Sequence, residues 1–132
     1  LIMGLFKFKE KEEKPYRVVH YEGIDNVGVD IPCTLLIKNN ILNIKFNSDM
    51  NITLPMERVI KFEAMSENEF MMKYKNTNGN TKKLPVSYLV ITYTSKENEE
   101  KRIVLWAANY REMKYFTDLH YKYKKPMGNI EL

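Results

Sequence analysis

The feature that most constrains this chain is a change of period. From Tyr16 to Ala107 apolar residues recur at every second position in short runs, whereas after Ala108 they recur at three- and four-residue steps. A period of two puts alternate side chains on opposite faces of a strand, and a period near 3.6 gathers them on one stripe of a helix. The pattern predicts strands first and a single helix last.

The run Tyr16-Arg17-Val18-Val19-His20-Tyr21 is rich in β-branched and aromatic residues and stops at Gly23, as a strand would. A loop over 23–30 follows, carrying Asp25 and Asp30. Thr34–Lys38 then meets Ile41–Phe46 across Asn39-Asn40, and asparagine tolerates the positive φ that a two-residue hairpin turn demands. In the second of these strands Leu42, Ile44 and Phe46 point one way while Asn43, Lys45 and Asn47 point the other. Asn51–Pro55 reads as a short strand closed by proline, 56–58 as a turn, and Val59–Ala64 as a strand with Ile60, Phe62 and Ala64 on one face. Phe70, Met72 and Tyr74 alternate with Met71, Lys73 and Lys75, which predicts a strand turning back at Asn78-Gly79. Val86–Thr94 is apolar on both faces and predicts a central strand, paired as a hairpin with Arg102–Ala107. Asn109 is the expected N-cap with Glu112 three residues on, and Met113, Phe116, Leu119 and Tyr123 mark an amphipathic helix of about four turns. Pro126 and Gly128 are expected to end it.

At 132 residues the chain suits one core, since two would each be marginal. The expected organisation is a charged N-terminal arm over 1–15, one domain over 16–125 and a tail over 126–132. The expected fold class is mainly β with one helix: an antiparallel roll or partial barrel of about seven strands capped by a C-terminal amphipathic helix. The single cysteine, Cys33, leaves no internal disulfide to form and fits a reducing compartment and a buried strand position. The apolar start Leu1–Phe6 is shorter than a membrane span or a signal-peptide core, so the expected location is the cytoplasm.

The net charge of +4 is interleaved, as in Lys9-Glu10-Lys11-Glu12, which suits a solvated surface better than a nucleic-acid footprint. No residue stands out as catalytic. Glu10, Glu12 and Glu13, like Glu97, Glu99 and Glu100, sit in polar segments where nothing would raise a carboxyl pKa for general acid work. His20, His120 and Cys33 lack ligand spacing, and neither a phosphate-binding loop nor a serine elbow is present, so no metal site and no cofactor is expected. Lys73, Lys75, Lys82 and Lys83 form the one basic group of interest. The expected hairpin would bring them together on neighbouring strands, either as an anionic-surface site or as lysines that guard a hairpin tip. The methionines, including Met71-Met72, read first as flexible core filler, with an adaptable outer contact at Met71 beside Lys73 as the alternative.

Taken together, Ile52-Thr53-Leu54-Pro55-Met56-Glu57-Arg58-Val59-Ile60-Lys61-Phe62, then Ile91-Thr92-Tyr93, a charged turn, Ile103-Val104-Leu105 and the terminal helix resemble the bacterial pleckstrin-homology-like and GRAM-like domains over about Tyr16 to Lys125. Many eukaryotic members carry a tryptophan in that helix, whereas here Trp106 lies in the last strand and the helix uses Phe116. The resemblance implies a non-enzymatic interaction module, binding a protein partner or a second copy of itself, with an anionic membrane as the alternative partner. Phosphoinositide-binding members resemble one another in basic residues around the first strand-to-strand loop. Here that loop has two acids and no lysine or arginine, which weighs against a specific phosphoinositide.

Overall fold

The computed structural model of the chain describes residues 14–123, apart from 48 and 80. The elements run β1 (Tyr16–Glu22), β2 (Ile31–Lys38), β3 (Ile41–Lys45), β4 (Asn51–Pro55), a 3-10 turn (Met56–Arg58), β5 (Val59–Ser66), α1 (Glu67–Lys75), β6 (Ser87–Thr94), β7 (Glu100–Ala107) and α2 (Tyr110–Lys122). The strands form one antiparallel sheet of seven in the order β4-β3-β2-β1-β7-β6-β5. The expected mainly β architecture with a C-terminal helix is what the chain adopts. Its sheet does not close, because β4 and β5 are the two ends of the order and do not pair.

Local chemistry explains the pairing. Asn39 and Asn40 take φ of 54° and 64°, the left-handed geometry of a tight turn, so β2 and β3 register from Lys38 opposite Ile41 to Thr34 opposite Lys45. Gly23 has φ +111° where β1 leaves the sheet, and a Cβ there would lie 2.2 Å from the Arg102 carbonyl oxygen, so only glycine fits. The loop after it is held by buried His20. Its Nδ1 lies 2.9 Å from the Gly28 carbonyl and its Nε2 accepts the Ile24 N–H at 3.2 Å, so the ring proton sits on Nδ1. Of the two loop acids, Asp30 accepts the Trp106 indole N–H at 2.8 Å, and Asp25 is exposed.

Inner residues from both halves of the sheet, including Leu35, Leu42, Ile44, Leu89, Ile91 and Leu105, meet in one cluster, so the sheet is rolled. Phe116 and Leu119 of α2 complete this cluster, and burying each contributes roughly 1.5–3 kcal/mol. The helix is where the sequence places it, but its start is built differently. Asn109 occupies the N-cap position without a side-chain capping bond, and Glu112 turns across to accept the Arg17 backbone N–H at 3.1 Å. Pro126 and Gly128, the C-terminal tail and all of the N-terminal arm before Lys14 lie outside the described residues.

Three expectations are corrected. The segment holding Phe70, Met72 and Tyr74 is the helix α1, not a strand, and no hairpin turns at Asn78-Gly79. Ser66 and Glu69 form a reciprocal capping box at its start, and Asn76 closes it in the left-handed conformation with φ of 52°. On a helix Phe70 and Met71 face inward together, so Met71 is core filler and Met72 is the exposed methionine, which overturns the strand phase that set Met71 outward beside Lys73. In β5 a bulge between Val59 and Lys61 shifts the phase, so Val59 and Phe62 are buried while Ile60 is 38% exposed.

Helix α1 also explains why β6 is apolar on both faces. Leu89 and Ile91 point into the inner core, while Tyr88 and Val90 pack outward with Phe70, Met71, Val86 and Val104 into a second cluster. There Tyr88 stacks on Phe70 with centroids 4.7 Å apart, and Tyr21 meets both rings edge-on.

Candidate functional site

The two ends of the sheet differ in what happens to their outward backbone groups. Residues of an edge strand alternate between bonding the neighbour strand and facing away from it. At β5 the outward Ala64 N–H donates to Nδ1 of His120 on α2 at 2.8 Å, and the outward Ser66 N–H donates to Oε1 of Glu69 on α1 at 2.9 Å. Both helices thus supply side-chain acceptors over the C-terminal half of this edge, while Phe62, whose N–H faces the same way, is buried at 4% exposure. Beside it runs an open cleft of about 500 Å³ between the helices, lined by Met65, Met72, His120 and the charged Glu63, Glu69 and Lys73.

At β4 the Met56 N–H bonds the Asn40 carbonyl and the Phe46 N–H bonds the Met50 carbonyl, which fixes the phase of the β3–β4 ladder. Ile52 and Leu54 therefore bond β3, and Asn51, Thr53 and Pro55 face outward. Asn51 and Thr53 are exposed, and among the described residues nothing accepts their N–H groups. Pro55 offers only its carbonyl. The result is a short strand edge with two free donors.

The four lysines do not share a hairpin. Lys73 and Lys75 lie on α1, and Lys82 and Lys83 lie in the connection from α1 to β6. Lys73 is paired at 2.6 Å with Glu63, which also accepts the Tyr74 hydroxyl. Burial would push the Glu63 carboxyl up, but these bonds outweigh it and hold the group below its ordinary range. Lys75 pairs with Glu22 at 2.6 Å, and Lys82 lies 3.8 Å from Glu67 while bonding the Tyr88 hydroxyl at 3.2 Å. Lys83 is exposed. Three of the four charges thus have acidic partners within the chain.

His120 belongs to the closed edge and His20 to the first loop, and Cys33 is buried in β2. Burial pushes the Cys33 thiol up to about 12, only partly offset by the backbone of His20, which makes it a poor nucleophile. Glu97, Glu99 and Glu100 are exposed beside the β6–β7 turn, while Glu10, Glu12 and Glu13 lie outside the described residues. Among the described residues no group of three or more His, Cys, Asp or Glu is arranged to hold a metal, and no helix is long and apolar enough to cross a membrane.

The sequence reading missed Glu67, Ser66 and Glu69. Glu67 is 3% exposed and accepts from Thr81 Oγ1 at 2.6 Å and from the Lys82 N–H at 3.2 Å, so it ties down the whole connection after α1. The Ser66-x-x-Glu69 spacing was the available signal for this helix and its acids. Compared with known protein families and with curated proteins, the chain matches no family model and no curated protein.

Proposed function

We propose that the chain is a non-enzymatic interaction module of pleckstrin-homology-like type that binds an extended protein segment, from a partner or a second copy of itself, along β4. The observation that carries this reading is the asymmetry of the edges: on β5 His120 and Glu69 accept from the outward amides of Ala64 and Ser66, and β4 leaves Asn51 and Thr53 as outward donors. Strand addition at such an edge draws affinity from main-chain bonds and specificity from alternate side chains. The strand order, with its two halves meeting at β1 and β7 and a helix packed on the inner cluster, supports the pleckstrin-homology-like reading. Binding to an anionic membrane through Lys73, Lys75, Lys82 and Lys83 is less well supported, because Glu63, Glu22 and Glu67 already balance three of these charges.

The test compares wild type with Thr53→Pro, which deletes one outward donor and leaves the inner ladder intact. Solution mass by light scattering reports self-pairing, and selection from a random-peptide display reports partner segments. The reading expects either a dimer or a set of extended peptides, lost in Thr53→Pro. A monomer that selects no peptide, or binding that survives the substitution unchanged, overturns it.

A further inference from the structure

The ammonium of Lys82 is enclosed in a way that an ordinary surface lysine is not. Its Nζ lies 4.9 Å from the Trp106 ring centroid and 5.8 Å from that of Tyr21, donates to the Tyr88 hydroxyl at 3.2 Å, and has the carboxylate of Glu67 at 3.8 Å. The Lys82 side chain is only 16% exposed. The Trp106 and Tyr21 rings, the Tyr88 hydroxyl and a buried carboxylate around one cation form the kind of arrangement that recognises ammonium groups.

The three rings are also held by partners other than the lysine. Tyr88 is fully buried and stacked on Phe70, Tyr21 is wedged edge-on against both, and the Trp106 indole is anchored to Asp30. Burial first, and the Glu67 charge second, push the Tyr88 phenol up, so it stays a neutral hydroxyl. The occupant, by contrast, rides on a segment without helix or strand whose neighbours Thr81, Lys83, Leu84 and Pro85 are all exposed, Leu84 by 67%. Among the described residues that segment is fastened chiefly through Glu67, which bonds Thr81 and the Lys82 backbone.

We propose that Tyr21, Tyr88 and Trp106, with Glu67, form a cation cage for the ammonium of a partner protein's lysine or methylated lysine, and that Lys82 occupies it in cis as a tethered competitor. A protein lysine is favoured over a lipid choline because the present occupant enters on a linear four-carbon stem. This cage lies on the outer face of β1, β6 and β7, away from β4, and does not depend on the strand-addition reading.

The experiment uses the full chain and the fluorescence of Trp106, its single tryptophan. Nα-acetyl-Nε-trimethyllysine amide is titrated into wild type and Lys82→Ala, with phosphocholine and sodium chloride in parallel arms. Removing the tethered competitor should tighten the trimethyllysine dissociation constant by about tenfold or more, since a site free in only a fraction of molecules binds more weakly by that fraction. The trimethyllysine probe should also bind better than phosphocholine, and sodium chloride should give no saturable change. Equal affinities in the two proteins, a preference for phosphocholine, or a response no different from salt overturns the proposal. Should Lys82→Ala fail to fold, 13C reductive methylation of wild-type lysines tests the same occupancy. The Lys82 methyl signal should be shifted upfield by the rings and return toward those of exposed lysines as the probe is added. A Lys82 signal that starts among the others, or does not move, overturns it.

Discussion

At β5 the outward amides of Ala64 and Ser66 end on side chains of the two helices, whereas at β4 those of Asn51 and Thr53 have no acceptor among the described residues. The two strands are separated in sequence only by the turn Met56–Arg58, yet they stand at opposite ends of the sheet. An unpaired strand edge is a template for foreign strands, so an edge is normally blocked unless it is short or used. Here two helices are committed to blocking an edge of eight residues, and the five-residue edge is limited only by its length and by Pro55. The contrast teaches that capping in this fold comes from helices packed beside a strand, and that among the described residues no helix side chain accepts from the outward amides of β4.

The strongest way to break the contrast is to loosen the helix that guards β5. Phe116→Ala removes a fully buried ring between α2 and the sheet, and the expected loss is about 3–5 kcal/mol, measured by urea unfolding. Concentration-dependent association should appear with it, because β5 would then resemble β4. Next in size is Glu67→Gln, which weakens the tie between α1 and the connection to β6 at a cost of about 1–3 kcal/mol. Burial would raise the Glu67 pKa, but the bonds from Thr81 and Lys82 prevail and hold it below the usual 4.5. Its contribution is therefore complete above pH 4.5 and is lost as the pH falls through the depressed value. Wild type should show a steeper acid limb of stability than Glu67→Gln, and parallel limbs would contradict this assignment.

His120→Ala leaves the Ala64 N–H without its acceptor, for an expected loss of about 1–2 kcal/mol and faster exchange at that amide. The smallest effect belongs to the open edge. Thr53→Pro should change stability by less than about 0.5–1 kcal/mol, since its N–H has no partner among the described residues. A loss of several kcal/mol would show that this amide is engaged, and the contrast between the edges would fail.

What was legible in the sequence was what local chemistry decides. Asn39-Asn40 tolerates the positive φ of a tight turn between two alternating runs, the two-faced apolar run of β6 demands cover on both sides, and α2 carries thirteen residues of consistent periodicity. Helix α1 was misread because over its nine residues the alternation of Phe70, Met72 and Tyr74 imitates a strand. The capping box at Ser66 was the better guide, because it depends on the helix termini and not on the face buried. Neither the lysine pairings nor the edges could be read directly. Glu63, Glu22 and Glu67 meet their lysines through the fold, and an edge is defined by the order of strands in space.

The central claim is that the Ala64 and Ser66 amides of β5 are capped and the Asn51 and Thr53 amides of β4 are open, and site-resolved amide hydrogen exchange on the free monomer tests it most directly. Ala64 should be protected at least about a hundredfold relative to an unstructured chain, while Thr53 should exchange within about tenfold of the unstructured rate. Strong protection at Thr53 together with rapid exchange at Ala64 would contradict the account.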